Sequence, residues 1–216
     1  MPGKHRSKPR ETRREKKARI FALVKTASEA DDLMCKFPHL AVYKEYGLDL
    51  KIEYVSSNNL DKKSMDEVFC LLKCNMKLAY EESDWGWNDT AKRNELRDES
   101  ARYLLAKDAN GKIIGFSHFR FDIEESYPIL YCYELQIDPE FQRKGLGQHI
   151  MNVLFLIAHN FKLVKIVLTV FKHNIAGLNF YTKSMAFRHD ETCPKEEEGK
   201  CYVILSKFVD MNEINH

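Results

Sequence analysis

An apolar helix between two strands constrains the fold of this 216-residue chain more than any other feature. Residues 145–161 contain no Lys, Arg, Asp or Glu, and their apolar side chains recur at helical spacing. A strand is predicted at 130–137, ending at Asp138-Pro139, and the apolar run 164–171 has the character of a buried, parallel strand. Parallel strands need a crossover connection, which a helix of this length supplies. The sequence therefore predicts a sheet with this helix packed against one face.

The remaining predicted elements extend that unit, mainly with antiparallel strands. Asn110-Gly111 lies between two strand-like segments and is a strong hairpin signal. Asp61 is a suitable N-cap for a helix that ends near Glu81. We predict strands at 48–55, 103–107, 113–121 and 201–208, and helices at 18–35, 62–81, 89–99 and 175–185. This order predicts one α/β domain with a mixed, mostly antiparallel sheet flanked by helices.

The formal charge is divided unevenly along the chain. Residues 1–20 carry nine basic and two acidic side chains, a formal charge of +7, whereas the whole chain has +2. A basic arm therefore precedes a mildly acidic body. The arm is either a patch for nuclear import or for contact with nucleic acid or the ribosome, or it is a solvated charged tail. We predict a disordered arm at 1–17, a helix and connection at 18–47, the main domain at 48–208 and a tail at 209–216.

Composition and apolar patterning exclude several classes of protein. An apolar fraction of 44% and a charged fraction of 31% are typical of a globular chain. The longest uncharged stretch holds 17 residues and several polar side chains, whereas a membrane span needs roughly 20 mostly apolar ones. We expect no signal peptide, an intracellular protein and six reduced cysteines. The cysteine spacing does not indicate a zinc site, and we expect no metal, no membrane partner and a monomer.

The segment Gln142-Arg143-Lys144-Gly145-Leu146-Gly147 is the strongest functional signal. It follows a strand and opens a helix, whose first amides lack partners within the helix and favour an anion. The two glycines let a ligand approach the backbone closely, and Arg143 and Lys144 add positive charge. The spacing matches neither the P-loop nor the Rossmann fingerprint. By itself the motif indicates a pyrophosphate cradle or, alternatively, a helix-start turn without function.

Together with residues downstream, this loop resembles the acetyl-CoA signature of the GCN5-related N-acetyltransferases. The shared features are Gln-x-x-Gly-x-Gly after a strand ending in Asp-Pro, Asn174-x-Ala176 and Phe180-Tyr181. Within that superfamily the chain is most similar to the NatD-type N-terminal acetyltransferases of histones. Five strings in order carry this similarity: Tyr80-Glu-Glu-Ser-Asp-Trp85-Gly-Trp87, Phe116-Ser-His-Phe-Arg-Phe-Asp122, Leu130-Tyr-Cys-Tyr-Glu134, Arg143-Lys-Gly-Leu-Gly147 and Leu168-Thr-Val-Phe-Lys-His-Asn174. Residues 188–200 depart from the family pattern.

The resemblance implies acetyl-CoA as co-substrate and places the residues that would bind it. The strand backbone at Leu135, Gln136 and Ile137 would pair with the pantetheine arm. The pyrophosphate would be held by the backbone amides of Arg143, Lys144, Gly145, Leu146, Gly147 and Gln148. Asn174 would hydrogen-bond the cofactor near its thiol end, cap a helix, or do both.

The resemblance also implies direct acetyl transfer with Glu134 as the general base. A free α-amino group has a pKa of about 7.7–8.0, against about 10.4 for lysine, so a modest base suffices. Strict alternation would place Glu134 on the face of the sheet opposite to that of Tyr131 and Tyr133. We infer a β-bulge here because the site requires one. The Leu135 N–H would stabilise the oxyanion. Tyr133 and Tyr181 complete the predicted catalytic group, with Tyr181 either the proton donor to the thiolate or only a core aromatic.

On the substrate side, the resemblance implies a peptide groove built from aromatic and acidic residues. Its predicted members are Tyr80, Trp85, Tyr131, Tyr133, Thr169 and Tyr202, with core packing as the alternative for each aromatic. Asp122 and Glu124 would pair with an arginine of the peptide. The family's substrates, histones four and two-A, begin Ser-Gly-Arg-Gly.

These implications define one leading hypothesis and two others. The first is an N-α-acetyltransferase that acts on the N-terminal serine of these histones in the nucleus and cytoplasm, with its basic arm as an address for either the nucleus or the ribosome. The second is an acetyltransferase for lysine side chains or small amines. The third is an inactive module of the acetyl-CoA-binding fold that binds histone or ribosome through residues 1–20.

Overall fold

A sheet of eight strands runs through the protein, of which the computed structural model describes residues 11–209. The strands are β1 (Val42–Tyr43), β2 (Leu50–Ser56), β3 (Arg102–Lys107), β4 (Ile113–Glu124), β5 (Tyr127–Ile137), β6 (Lys165–Phe171), β7 (Arg188–His189) and β8 (Tyr202–Phe208). Their order across the sheet is β1-β2-β3-β4-β5-β6-β8-β7. Among the strand pairs within 11–209, β5 with β6 is parallel and the others are antiparallel. The predicted mixed, mostly antiparallel sheet is confirmed.

Helices cover both faces of this sheet. Within the described residues the α-helices are α1 (Arg13–Ser28), α2 (Lys62–Glu81), α3 (Asp89–Leu96), α4 (Leu146–Asn160) and α5 (Ile175–Asn179). The last continues into a π-helical turn, Phe180–Ser184. The predicted helix at 175–185 is therefore present but widens after its first turn. Helix α4 is the crossover that joins the parallel strands β5 and β6, as the sequence requires.

The core is divided between the two faces because successive side chains of a strand point to opposite sides. On β3, Leu104 and Ala106 join the larger apolar cluster, to which α1 and α4 contribute. Tyr103 and Leu105 join the second cluster, with the apolar side of α2 and Leu96 of α3. The protein is therefore a three-layer arrangement, with α1 and α4 on one face and α2 and α3 on the other.

Helix α1 begins earlier and ends earlier than predicted. Thr12 and Glu15 form a capping box, in which each side chain accepts a hydrogen bond from the other residue's backbone N–H. The helix therefore starts at Arg13 instead of near Ala18, and residues 13–17 of the predicted disordered arm are helical. It ends at Ser28 instead of near residue 35. The tip of the arm, 1–10, and the C-terminal residues 210–216 lie outside the described residues.

Local signals located other elements well and missed the shortest ones. Asp61 caps α2 by accepting a hydrogen bond from Ser64 N at 2.9 Å. The β3–β4 connection turns at Gly111, whose φ is +78°, so Asn110-Gly111 does mark the hairpin. The two-residue strands β1 and β7 were not predicted, because two residues show no alternation. No helix within 11–209 is long and apolar enough to cross a membrane.

Candidate active site

The parallel strands β5 and β6 separate part-way along their length. They pair from Ile129 with Lys165 to Cys132 with Leu168. Beyond that point β5 continues to Ile137 and β6 to Phe171, and no further pairing between them occurs in the described chain. A cavity of about 710 Å³ opens there, lined by both diverging strands, the start of α4 and the α5 region. The edge of β5 thus presents backbone groups to a large open site.

A β-bulge lies at the point where the strands separate. On the β4 side, His118 pairs with Glu134 and Phe119 with Cys132, so Tyr133 is an extra residue without a cross-strand partner. A bulge re-aims side chains locally. Tyr133 and Glu134, although adjacent, both line the cavity. The bulge that the predicted site required is therefore present.

Glu134 lies at the inner wall of this cavity and is only 6% exposed. Gln136 Nε2 donates to its Oε2 at 2.9 Å, and Lys92 Nζ lies 3.8 Å from its Oε1. Asn75 in turn donates to Gln136 Oε1 at 3.0 Å. Burial raises the pKa of Glu134 to about 7, although Lys92 and Gln136 act in the opposite direction. A carboxylate with this pKa can accept and release a proton near neutral pH.

The glycine loop forms a second wall of the cavity. Gly145 is the N-cap of α4 and has φ +72°, a left-handed conformation that favours glycine. A Cβ at this position would lie 2.5 Å from Tyr43 Oη. The predicted residues Arg143, Gly145, Leu146, Gly147 and Gln148 line the cavity. The predicted residue Lys144 is not among the lining residues, and its ammonium donates to the Glu140 carbonyl at 3.2 Å.

Asn174 and Tyr181 enter the cavity from the α5 region. Asn174 accepts a hydrogen bond from Gly177 N at 2.9 Å, so it caps α5 and lines the cavity at the same time. Tyr181 also lines the cavity, with its ring edge-on to Phe180 and Phe187 at 5.0 and 5.7 Å. Burial raises the pKa of Tyr181 well above its ordinary value. Its phenol is therefore protonated, which suits a proton donor as well as a core aromatic.

An aromatic mouth surrounds the other end of the cavity. Tyr80, Trp85, Tyr131, Tyr133 and Thr169 line it as predicted, and Tyr131 Oη lies 2.6 Å from Thr169 Oγ1. Tyr202 does not line the cavity, but its ring lies 5.0 Å from that of Trp85. Tyr202 therefore packs against Trp85 without lining the cavity.

Asp122 and Glu124, which were predicted to pair with an arginine of the peptide, do not line the cavity. They lie near the end of β4, where Asp122 pairs with Ile129 and Glu124 with Tyr127, close to the β4–β5 turn. Their charges still act on the mouth. Burial raises the pKa of Tyr131 to about 12 and that of Tyr133 above its ordinary value, and Glu124 and Asp122, respectively, add to these effects. We call these two carboxylates, which act electrostatically on the tyrosines from the end of β4, the acidic rim.

Several residues of the site carry no motif and were not predicted. They are Asn75 on α2, Lys92 and Glu95 on α3, and His118 and Arg120 on β4. The His118 ring stacks between Tyr103 at 5.3 Å and Tyr133 at 5.0 Å, and Arg120 lies 4.5 Å from the Tyr133 ring. These contacts fix the bulged residue from the α2–α3 face. Only the string Phe116 to Asp122, which resembles the family, contained a signal for any of them.

Comparison with known proteins gives the family. Residues 68–187, more than half of the chain, match the family model described as Acetyltransferase (GNAT) family. The chain belongs to the GNAT acetyltransferase family. Its members use acetyl-CoA as co-substrate, and the site fits it. The free edge of β5 can pair with an extended chain, the first amides of α4 can hold a pyrophosphate, and Gly145 leaves the backbone accessible.

Solved structures of GNAT and related enzymes share this fold at low sequence identity. The Arabidopsis thaliana NAA60 complex with a bisubstrate analogue has a TM-score of 0.54 and 13% identity, covering 74% of this chain and 100% of that one. Ard1 from Thermoplasma volcanium has a TM-score of 0.54 and 16% identity, covering 74% and 98%. A GNAT acetyltransferase from Staphylococcus aureus has a TM-score of 0.56 and 11% identity, covering 74% and 99%. The predicted GNAT-type α/β domain is thus confirmed.

No group of three or more His, Cys, Asp or Glu side chains among the described residues could hold a metal ion.

Proposed function

We propose that this GNAT acetyltransferase is an N-α-acetyltransferase of the NatD type. Its substrate would be the N-terminal serine of histones four and two-A, which begin Ser-Gly-Arg-Gly. The observation that carries the proposal is the position of Glu134, a buried carboxylate at the bulge between the cofactor cavity and the aromatic mouth.

Glu134 would act as the general base. Its pKa of about 7 lies close to the value of about 7.7–8.0 for a free α-amino group, so proton transfer between them costs little free energy. A lysine side chain, with a pKa of about 10.4, is a much weaker acid and would rarely be neutral in this site. The acidity of the amine therefore favours a chain terminus over a lysine.

The other catalytic roles fall to the bulged strand and the π-helical turn. Acetyl-CoA supplies the acetyl group as a reactive thioester. The Leu135 N–H, one residue after the base, would stabilise negative charge on the carbonyl oxygen during direct transfer. Tyr181, protonated and facing the cavity, would return a proton to the departing sulfur. Tyr133, fixed by His118 and Arg120, would orient the amine beside Glu134.

The mouth suits a small first residue followed by an arginine at the third. Tyr131 and Thr169 form a polar pair at the opening, where they could bind peptide backbone or a serine hydroxyl. In an extended peptide the third residue lies about 7 Å along the chain from the first. An arginine there would extend toward the acidic rim of Asp122 and Glu124.

The proposed function also implies the protein's partners and its location in the cell. Histone tails would be the substrates, encountered in the nucleus and cytoplasm. Near its start, α1 carries exposed basic residues that would add to the charge of the arm and favour an acidic surface such as that of the ribosome: Arg13, Arg14, Lys16 and Lys17. The contact with the ribosome is not needed for the chemistry.

Mass spectrometry of histone peptides after incubation with acetyl-CoA tests the proposal. We expect one acetyl group on the terminal serine of a Ser-Gly-Arg-Gly peptide and none on an N-terminally blocked copy that carries lysines. Glu134→Gln should reduce turnover by about a hundredfold or more while the affinity for acetyl-CoA stays the same. Acetylation of the blocked peptide would favour a lysine acetyltransferase, and unchanged turnover in Glu134→Gln would exclude Glu134 as the base.

A further inference from the structure

Lys92 on α3 carries an ammonium group that is held between two carboxylates at the inner wall of the cavity. Its Nζ lies 3.1 Å from Glu95 Oε1 and 3.8 Å from Glu134 Oε1, and it donates to Tyr80 Oη at 2.6 Å. Only 12% of its side chain is exposed. A buried cation is costly unless it is paired, and Lys92 has a partner on each of three elements: α2, α3 and β5.

We propose that Lys92 is a positioning residue for the reaction: its ammonium holds the Glu134 carboxylate in place and favours its charged form. This inference rests on the proposed function, in which Glu134 is the base. Lys92 itself would not touch the reacting atoms.

The contacts of Glu134 support this role because its two oxygens face two different partners. Gln136 Nε2 donates to Oε2 at 2.9 Å, and Lys92 lies on the side of Oε1. Asn75 holds Gln136 in turn, and Tyr80 and Glu95 hold Lys92. The carboxylate is therefore restrained from both sides, by α2 through Gln136 and by α3 through Lys92.

The surrounding charges make Lys92 the cation that matters at this position. The ionisable groups that face Glu134 or Lys92 from the packed elements are Tyr80, Glu95, Tyr103, His118, Cys132 and Tyr181. His118 is neutral at pH 7, because burial lowers its pKa to about 3. Glu95 raises the pKa of Glu134, as burial does. Lys92 is the largest influence in the opposite direction.

The test compares Lys92→Met with a matched control, Lys73→Met. Lys73 also joins α2 to the start of α3, since its Nζ lies 2.6 Å from Asp89 Oδ2. It also lies over an aromatic ring, 5.8 Å from Phe69, as Lys92 lies 4.3 Å from that of Tyr80. Lys73 does not line the cavity. The two variants thus lose the same charge from the same pair of helices, but only one loses it beside Glu134.

Two measurements on the full-length protein read out the effect. The first is the pH dependence of kcat/KM with a Ser-Gly-Arg-Gly peptide. The second is a ¹³C NMR titration of the Glu134 carboxyl carbon, assigned by its loss in Glu134→Gln, which needs no substrate. We expect Lys92→Met to shift the midpoints of both curves to higher pH by about one unit. Lys92→Arg, which keeps the charge, and Lys73→Met should leave both curves at the wild-type position.

The two proposals can fail separately. If Glu134 titrates at the wild-type pH in Lys92→Met, Lys92 does not hold the charge and the inference is overturned, whatever the substrate proves to be. If Glu134→Gln keeps full turnover, the base assignment fails instead, and the NMR titration still decides whether Lys92 fixes the charge of Glu134. Should Lys92→Met unfold, Lys92→Gln keeps a polar partner for Tyr80 without the charge and is subject to the same two outcomes.

Discussion

The Tyr43 hydroxyl donates a hydrogen bond to the backbone carbonyl of Lys144, in the loop that precedes α4. This contact joins β1, the edge strand of the sheet, to the loop that would hold the pyrophosphate. The Tyr43 ring also lies 5.0 Å from His149 on α4, whose Nε2 is 3.0 Å from the Leu40 carbonyl oxygen. The family match covers only 68–187, so this support for the cofactor loop comes from residues outside the matched region.

Replacing Tyr43 by Phe tests this support. The variant keeps the buried ring but leaves the Lys144 carbonyl without its donor, so the free energy of unfolding should fall by about 1 kcal/mol. The loop should also hold its conformation less well, and the Kd for acetyl-CoA should rise a few-fold. Calorimetric titration and chemical denaturation measure the two effects. An unchanged Kd would mean that the loop keeps its shape without the Tyr43 contact.

Gly145→Ala and Gly147→Ala should differ in their effect on stability. Gly145 has φ +72°, and an added Cβ would lie 2.5 Å from Tyr43 Oη, so alanine there should cost about 1–2 kcal/mol in strain before any clash. A Cβ at Gly147 would make only ordinary contacts, 3.5 Å from Phe180. Thermal unfolding should therefore shift for Gly145→Ala and stay within about 0.5 kcal/mol of the wild type for Gly147→Ala. Equal shifts would contradict the assigned conformation.

The fold was predictable from sequence because its signals are local and periodic. The uncharged apolar stretch of α4, the Asp61 cap and the Asn110-Gly111 turn each determine a nearby element. The start of α1 was predicted five residues late, because the capping box of Thr12 and Glu15 lies within a run of basic residues without apolar periodicity. The GNAT assignment itself rested on resemblance, which the family match confirms.

The site was predictable only where a motif marks it. The bulge at Tyr133 could be inferred from the need to turn Glu134 toward the cavity, but no residue pattern encodes it. Lys92 lies on a short polar helix, and its place beside Glu134 depends on how α3 packs against β5, which sequence spacing does not give. The position of Asp122 relative to the mouth likewise depends on the β4–β5 register, which sequence spacing does not give.

Tyr181→Phe separates a proton donor from a core aromatic. The ring packs edge-on against Phe180 and Phe187, and phenylalanine preserves those contacts. If the hydroxyl protonates the departing sulfur, kcat should fall by about tenfold or more, while thermal stability changes little. Single-turnover kinetics on a Ser-Gly-Arg-Gly peptide measure this step directly. A variant with wild-type kcat would leave Tyr181 as a packing residue.

Glu134 should make the stability of the protein fall as the pH rises. Its pKa is about 7 in the folded state and about 4.5 when exposed, so between these values the folded state binds more protons than the unfolded state. The group favours folding below about pH 4.5, and this contribution is lost as the pH rises to about 7. The loss amounts to about 3 kcal/mol. The difference in free energy of unfolding between Glu134→Gln and the wild type should therefore shift in favour of the variant by about 3 kcal/mol from pH 4 to pH 8. Urea denaturation at each pH measures this difference.

Asp122→Ala tests the acidic rim against the alternative that the rim is only a solvated edge. Asp122 is exposed, so its ion pair with the third-residue arginine should be weak. Loss of that pair in Asp122→Ala should raise KM for a Ser-Gly-Arg-Gly peptide by about twofold to fivefold, and by less at high salt. A Ser-Gly-Gln-Gly peptide should have the same KM with both enzymes, since the partner charge is gone. The coupling between the two substitutions is decisive, because general damage to the mouth would raise KM for both peptides alike. A coupling energy of zero would exclude Asp122 from substrate recognition. Glu124, which raises the pKa of Tyr131, would then be the residue to replace.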